Sequence, residues 1–129
     1  MQIATWNVNS LKVRLPQILD WLKNNNCDTL ALQELKLDNP FFPIEDFAKL
    51  GYNCVFNGQK TYNGVAIVSK HPINDVIYDI PDYDDVQKRV ISATVNGIRL
   101  ICVYVVNGEV VDSEKYKYKL RWLEQLHNF

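Results

Sequence analysis

The sequence has few of the residues and segments that are typical of non-globular proteins. Glycine and proline number only 5 each among 129 residues, which excludes collagen-like and low-complexity proteins. No apolar run approaches the roughly 18 residues that a membrane span needs. The first seven residues show no basic segment leading into an apolar one. We therefore expect neither a membrane span nor a signal peptide.

The cysteine content and the net charge further limit the class of protein to which the chain can belong. The three cysteines, Cys27, Cys54 and Cys102, are an odd number without metal-type spacing, which favours core thiols in a reducing cytoplasm. The net charge of −1 lacks the basic excess typical of free-standing nucleic-acid binders. A locally basic cleft can nevertheless lie on a neutral domain. We expect one cytoplasmic domain with an ordinary hydrophobic core.

The N-terminal segments predict a strand, a helix and a second strand. Ile3 to Trp6 and Thr29 to Leu32 are short apolar runs typical of buried strands. Between them, apolar residues recur at helical spacing over about Val13 to Asn25. Pro16 is tolerable in this helix only in its first turn. Both strands end in polar residues, at the edge where open α/β sheets place their ligand sites.

The remaining segments predict a mixed α/β chain. Asn96-Gly97, between two β-prone runs, is the strongest two-residue signal for a hairpin. We expect strands over residues 52–56, 65–68, 89–95 and 98–104, a short helix over 44–50, and a last helix over about 112–128. The inner face of the last helix is expected to carry Tyr116, Leu120, Leu123, and Leu126 or His127. Asp112 or Ser113 is the expected N-cap.

Glu34 is the strongest candidate for a functional residue. It ends an apolar strand, where burying a carboxylate is costly unless a partner or a cation compensates it. Mg²⁺ takes one or two protein carboxylates and keeps its other positions for water and phosphate oxygens. An ordinary solvated glutamate is the alternative. Asn7, at the end of the neighbouring strand, could orient a nucleophile or hold a phosphate oxygen, or it could simply form a turn.

Three further features carry weaker signals. Tyr104 ends the second hairpin strand, where half-buried packing is the usual role of a tyrosine. Arg89 could pair with a phosphate or with the acidic residues Asp82, Asp84 and Asp85. Gly58-Gln59-Lys60-Thr61 lacks the spacing of a phosphate-binding loop and no helix follows it, so a flexible inter-strand loop is predicted.

Several sequence motifs follow one another in order and together span nearly the whole chain. They are Ile3-Ala4-Thr5-Trp6-Asn7-Val8-Asn9-Ser10-Leu11, Asp28-Thr29-Leu30-Ala31-Leu32-Gln33-Glu34-Leu35-Lys36, Gly51-Tyr52-Asn53, Gly58-Gln59-Lys60, Asn63-Gly64-Val65-Ala66-Ile67, Lys88-Arg89-Val90-Ile91 and Val103-Tyr104-Val105-Val106-Asn107-Gly108. Together they resemble the N-terminal half of the exodeoxyribonuclease III family, within the endonuclease/exonuclease/phosphatase superfamily.

This resemblance implies roles for individual residues. Glu34 is similar to the family's metal-binding glutamate, Asn7 to the active-site asparagine near that metal, and Tyr104 to the catalytic tyrosine beside the scissile phosphate. Lys36 is similar to the lysine next to the metal site. The positions that in this family touch the DNA backbone or the phosphate are matched by Tyr62, Arg89 and Asn107.

The resemblance also implies an activity and a fold. The family cleaves double-stranded DNA 5′ to abasic sites and removes nucleotides from 3′ ends, with Mg²⁺ or Mn²⁺ as cofactor. Its fold is a four-layer α/β/β/α sandwich with mixed β-sheets and outer helices. We expect residues 1–129 to be the N-terminal portion of such an endonuclease/exonuclease/phosphatase domain, without its C-terminal half.

The chain departs from the family's pattern at two positions and in extent. Leu35 stands where the family usually has threonine, and Val106 where its tyrosine loop usually has proline. The family's second half carries a Gly-Asp-x-Asn strand end, a further aspartate, and a terminal Ser-Asp-His that positions the attacking water. None of these motifs occurs in this sequence.

We therefore predict a Mg²⁺-dependent DNA-repair nuclease of exodeoxyribonuclease III type, a hydrolase that is truncated here and inactive as this chain alone. Two alternatives stay open. One is a non-catalytic remnant that binds DNA or a partner through the basic face of the last helix. The other is a superfamily phosphatase that acts on another phosphoester. The Gly58-Gln59-Lys60 loop and the loop from Tyr104 to Gly108 favour the DNA enzyme over that phosphatase.

Overall fold

Seven β-strands and three α-helices make up the computed structural model, which describes all 129 residues. The strands are β1 (Ile3–Asn7), β2 (Thr29–Gln33), β3 (Asn53–Asn57), β4 (Val65–Ser69), β5 (Ile73–Tyr78), β6 (Val90–Val95) and β7 (Ile98–Val103). The helices are α1 (Leu11–Asn24), α2 (Ile44–Ala48) and α3 (Glu114–Asn128), and a 3₁₀ turn spans Asn39–Phe41. None of the helices is long and apolar enough to cross a membrane.

The first sheet has the strand order β1-β2-β4-β3 and mixes parallel with antiparallel pairs. β1 and β2 run parallel with Asn7 opposite Gln33, and α1 connects them as the predicted crossover helix. β4 runs antiparallel to both β2 and β3. The ends of β1 and β2 therefore meet at one edge of the sheet, as the sequence predicts.

The second sheet is antiparallel, in the order β5-β6-β7. β6 and β7 form the predicted hairpin, and its turn residues Asn96 and Gly97 have positive φ values of 48° and 76°, as a type I′ turn requires. The sequence analysis missed β5. Asn74 and Asp75 are poor strand formers, and the pairing of β5 with β6 shifts register between Asn74 and Ile77.

The two sheets pack face to face. Val65 and Ile67 of β4 meet Ile91, Ala93 and Val95 of β6 in a fully buried cluster. A separate core, which includes three buried residues of α1, lies on the other side of the first sheet. This α/β/β layering confirms the expected fold class, with a mixed first sheet and an antiparallel second one.

The predicted start of α1 needs correction. Ser10 caps the helix by accepting a hydrogen bond from the Val13 amide, so α1 begins at Leu11. Pro16 therefore lies in the second turn of the helix rather than in its first.

The predicted inner face of α3 was right for Leu126, which packs against the cluster around Trp122, but wrong for Leu120 and Leu123. Trp122 is 1% exposed, whereas Leu120 and Leu123 are 49% and 38% exposed. The indole packs in a buried cluster with Val90 and Val106, because the largest apolar side chain of the helix gains most from burial. The helix begins after Ser113, whose hydroxyl accepts a hydrogen bond from the Tyr116 amide.

Candidate active site

The ends of β1 and β2 place an amide and a carboxylate in contact. Asn7 is the last residue of β1, and Glu34 follows directly after β2. The side-chain amide of Asn7 donates a 2.9 Å hydrogen bond to Oε1 of Glu34. The Glu34 side chain is 20% exposed, so it remains open to solvent from one side. The two residues with the strongest sequence signal thus belong to one site.

Backbone hydrogen bonds hold the loop after β2 from both sides. The Ser10 amide donates to the Glu34 carbonyl at 2.8 Å, and the Lys36 amide donates to the Asn63 carbonyl at 2.9 Å. Glu34 and Lys36 both have positive φ, of 57° and 56°. Such left-handed residues cost about 1–3 kcal/mol each and cluster at functional sites. The surrounding hydrogen bonds therefore keep the loop in a conformation it would not adopt alone.

Leu35 anchors this loop in the core. Its side chain is 1% exposed, and Gly64 lies so close that a Cβ on that glycine would be 2.9 Å from the Leu35 Cβ. Leu35, one of the two departures from the family pattern, therefore packs beneath the site. Val106, the other departure, is buried in a cluster with Trp122. Both residues are therefore part of the hydrophobic core of this chain.

Three side chains act on the Glu34 carboxylate. Besides the Asn7 amide, the Lys36 Nζ lies 3.5 Å from Oε2, and the Tyr104 hydroxyl is close enough to lower the pKa of Glu34. Burial acts to raise the pKa of Glu34, but the Asn7 hydrogen bond, the nearby Tyr104 hydroxyl and the Lys36 charge outweigh it and hold this pKa below its usual value. Glu34 is therefore ionised at neutral pH. No group of three or more His, Cys, Asp or Glu side chains forms a metal-binding cluster in the chain.

Tyr104 reaches the site from the second sheet, together with Arg89. The Tyr104 amide donates to the Arg89 carbonyl at 2.8 Å, and the guanidinium carbon of Arg89 lies 4.7 Å from the centroid of the Tyr104 ring. Burial, followed by the nearby negative charge of Glu34, raises the pKa of the Tyr104 hydroxyl. At neutral pH this hydroxyl is therefore a hydrogen-bond donor.

Arg89 does not take the acidic partners that the sequence offered. Its Nε donates to Gln87 Oε1 at 2.8 Å, and its Nη1 donates to the Tyr104 carbonyl at 3.1 Å. No ion pair joins it to the aspartates at positions 82, 84 and 85. Its Nη2 makes no hydrogen bond within the chain.

The structure brings five of the seven predicted residues together. We call them the Glu34 cluster: Asn7, Glu34, Lys36, Arg89 and Tyr104. The other two lie in surface loops. Tyr62 is 70% exposed, and Asn107 uses its Oδ1 to accept a 2.9 Å hydrogen bond from the Glu109 amide. Neither makes a side-chain hydrogen bond to the cluster.

Asn9 is a site residue that the sequence analysis left without a role. Its Oδ1 accepts a hydrogen bond from the Lys36 Nζ, and its amide donates to Asn7 Oδ1 at 3.2 Å. Asn9 therefore holds two of the side chains that act on Glu34, those of Asn7 and Lys36. Its place two residues after Asn7, in the same polar turn, was a signal that could have identified it.

The loop at Gly58-Gln59-Lys60-Thr61 is held in place, which contradicts the prediction of a flexible loop. The Gln59 Oε1 accepts hydrogen bonds from the Lys88 amide at 2.7 Å and from the Asn63 side chain at 2.9 Å. A Cβ on Gly58 would lie 2.5 Å from a neighbouring carbonyl oxygen. Only glycine fits this close approach.

The model of the Endonuclease/Exonuclease/phosphatase family matches residues 4–129. Among curated proteins, exodeoxyribonuclease III of Haemophilus influenzae is 29% identical over 123 residues, which are 95% of this chain and 46% of that protein. This match confirms the resemblance predicted from the sequence motifs.

Two solved structures are similar to the whole chain. The 3′ phosphatase NExo from Neisseria, bound to a product DNA hairpin, is 55% identical with a TM-score of 0.98 and covers 100% of this chain and 51% of its own. An AP endonuclease from Archaeoglobus fulgidus is 45% identical with a TM-score of 0.96, over the same shares. The chain thus spans about half the length of the relatives it matches.

Proposed function

This chain belongs to the Endonuclease/Exonuclease/phosphatase family, and we propose that it forms the N-terminal portion of a DNA-repair phosphodiesterase of exodeoxyribonuclease III type. The observation that carries the proposal is the Glu34 cluster, where residues from both sheets converge on one ionised carboxylate. DNA with abasic sites or 3′ ends is the proposed substrate. The relatives described as an exodeoxyribonuclease, a 3′ phosphatase with a DNA hairpin and an AP endonuclease support this choice.

Glu34 is the proposed ligand of a Mg²⁺ or Mn²⁺ ion. Mg²⁺ is usually held by one or two carboxylates and keeps several waters, so a single carboxylate suits it. A carboxylate has about four acceptor positions, and the one hydrogen bond to the Glu34 carboxylate, from the Asn7 amide, leaves room for a cation. When bound, such an ion would stabilise charge on phosphate oxygens and make a bound water more acidic.

Tyr104, Arg89 and Lys36 are the proposed partners of the phosphate. Phosphodiester cleavage builds negative charge on phosphate oxygens, and fixed donors aimed at that charge stabilise the transition state. The Tyr104 hydroxyl is kept protonated by its raised pKa. Arg89 lies over the Tyr104 ring, its Nε and Nη1 are hydrogen-bonded, and its Nη2 makes no hydrogen bond within the chain. We place Tyr62 and Asn107 along the DNA backbone outside this centre.

Activation of the attacking water is the step that these residues do not provide. His71 pairs with Asp28 at 3.5 Å, and His127 is exposed on α3. Neither histidine contacts the Glu34 cluster. We propose that the general base comes from the part of the fold that the relatives possess beyond the matched half. Such a base typically contributes about 10²–10⁴-fold to the rate.

The alternative of a DNA-binding remnant depends on the basic face of α3. On that face Lys115 pairs with Glu109 at 2.6 Å, and Lys117 pairs with Glu114 at 3.5 Å. These exposed pairs reduce the free positive charge that the sequence alone indicated. The Glu34 cluster, rather than α3, is therefore the better candidate for a DNA contact.

A cleavage assay tests the proposal. The protein is a polypeptide in which these 129 residues are continued by the second half of the fold, and the substrate is a duplex with one abasic site. We expect Mg²⁺-dependent cleavage that falls by orders of magnitude in Glu34→Gln and stays unchanged in Glu124→Gln, a glutamate exposed on α3. Cleavage within a few-fold of wild type in Glu34→Gln would contradict the proposal. Turnover of an inositol phosphate in place of DNA would favour the other phosphatase.

A further inference from the structure

A cavity of about 640 Å³ adjoins the Glu34 cluster. Its charged lining residues are three lysines and one aspartate, namely Lys12, Lys36, Lys60 and Asp38, and the ring of Phe41 lies among them. Lys36 belongs to the cavity as well as to the cluster. The cavity is therefore cationic and opens beside the proposed reaction centre.

Phe41 is held outward by a turn that is anchored in the core. Phe41 is 75% exposed, while its neighbour Phe42 is 6% exposed. The Phe42 ring stacks on Phe56 with centroids 4.1 Å apart. Asp38 caps the turn by accepting a 2.9 Å hydrogen bond from the Asn39 amide. Exposing one aromatic ring while its neighbour is buried gives the cavity a fixed apolar surface.

The same turn is tied to the loop that carries Lys60. The Gly58 amide donates a 2.8 Å hydrogen bond to the Asn39 side-chain oxygen. The close approach of Gly58 to the Leu37 carbonyl allows no side chain between the two segments. Phe41 and Lys60 consequently keep a fixed relation across the cavity, and Lys12 lines it from the first turn of α1.

We propose that this cavity is a nucleotide subsite in which Phe41 stacks on an unpaired base while Lys12 and Lys60 contact the phosphates beside it. The charge favours a nucleic acid strand over an apolar peptide, and a fixed aromatic ring next to cations is how proteins hold single strands without reading their sequence. The inference rests on the proposed function, because it needs a DNA strand at the Glu34 cluster. It adds a base contact to a centre otherwise built for phosphate.

Fluorescence anisotropy of a labelled single-stranded oligonucleotide tests the subsite in the 129-residue chain. Base–aromatic stacking is worth about 1–3 kcal/mol, so Phe41→Ala should weaken binding about 5- to 150-fold. Phe41→Trp should retain binding, because the indole also offers a stacking face. Tyr78→Ala is the matched control, since Tyr78 is 54% exposed on β5, away from the cavity residues. It should bind as wild type does.

The salt dependence of binding tests the lysines separately. Lys12→Gln and Lys60→Gln should each lower the slope of log affinity against log salt by about 0.7, as the loss of one single-strand phosphate contact does. Wild-type affinity in Phe41→Ala, or no binding of single strands by the wild-type chain, would overturn the subsite. If the longer polypeptide cleaves DNA but Phe41→Ala leaves the affinity for single strands unchanged, only the subsite is contradicted. Binding that depends on Phe41 without metal-dependent cleavage contradicts the proposed nuclease instead.

Discussion

The side-chain amide of Asn7 and the carboxylate of Glu34 meet at 2.9 Å although 27 positions separate them in the sequence. The contact exists because β1 and β2 run parallel in register, with Asn7 opposite Gln33. The first residue after β2 therefore lies beside the last residue of β1. Lys36 holds the other carboxylate oxygen, so Glu34 is oriented before any cation binds.

Mn²⁺ binding to the chain should depend on Glu34. We expect Glu34→Gln to abolish saturable binding of Mn²⁺, because a neutral amide replaces the carboxylate that we propose as the ligand of the hard cation. Water-proton relaxation measures bound Mn²⁺ directly and needs no catalysis. Glu124→Gln should bind like the wild type. Equal binding by both variants would show that Glu34 is not the ligand.

Removing Arg89 should weaken duplex DNA binding uniformly across sequences. Loss of one phosphate contact lowers the salt slope by about 0.9 for duplex DNA, and we expect that change in Arg89→Ala. Arg121→Ala, on the exposed surface of α3, is the matched control. A slope that changes in Arg121→Ala and not in Arg89→Ala would favour the remnant that binds DNA through α3.

The free energy of unfolding should depend on pH through Glu34. The folded pKa of Glu34 lies below its usual value of 4.5, so the contribution is present above that value and is lost as the pH falls through the folded pKa. Urea unfolding of the wild type and of Glu34→Gln should therefore differ most near neutral pH. The difference should shrink in acid. A difference that grows below pH 4.5 would contradict this assignment.

Gly64→Ala should destabilise the chain more than Gly51→Ala. Both glycines have positive φ, of 97° and 86°, so both variants carry the same kind of backbone strain, about 1–3 kcal/mol. Only at Gly64 would the new Cβ also come within 3.0 Å of Leu35. Urea midpoints give the comparison. Equal midpoints would mean that the loop beneath Glu34 shifts without resistance.

The 129-residue chain alone should not cleave an abasic-site duplex, even with saturating Mg²⁺. We propose that the Glu34 cluster holds a cation and a phosphate, but His71 pairs with Asp28 and His127 is exposed on α3, so neither histidine contacts the cluster to activate water. Gel analysis of a labelled duplex over a long incubation measures this. The longer polypeptide serves as the positive control. Metal-dependent turnover by the purified short chain would show that these residues suffice.

The local elements of this fold followed from the sequence. Helical spacing of apolar residues predicted α1, two apolar runs predicted β1 and β2, and Asn96-Gly97 predicted the hairpin. Such signals involve neighbouring residues only, so they can be recognised without the rest of the chain. The placement of Asn7 and Glu34 at one edge of the sheet also followed, because a parallel strand pair brings both strand ends to the same edge.

Tertiary packing decided the rest. Only the packing of the two sheets brings Tyr104 and Arg89 to Glu34, since no local pattern links the hairpin to β2. The burial of Trp122 set which face of α3 packs against the rest of the chain. The stacking of Phe42 in the core set the exposure of Phe41. In each case the free energy gained by burying one side chain determined whether the neighbouring side chain is exposed. Which of the two is buried depends on residues far away in the sequence.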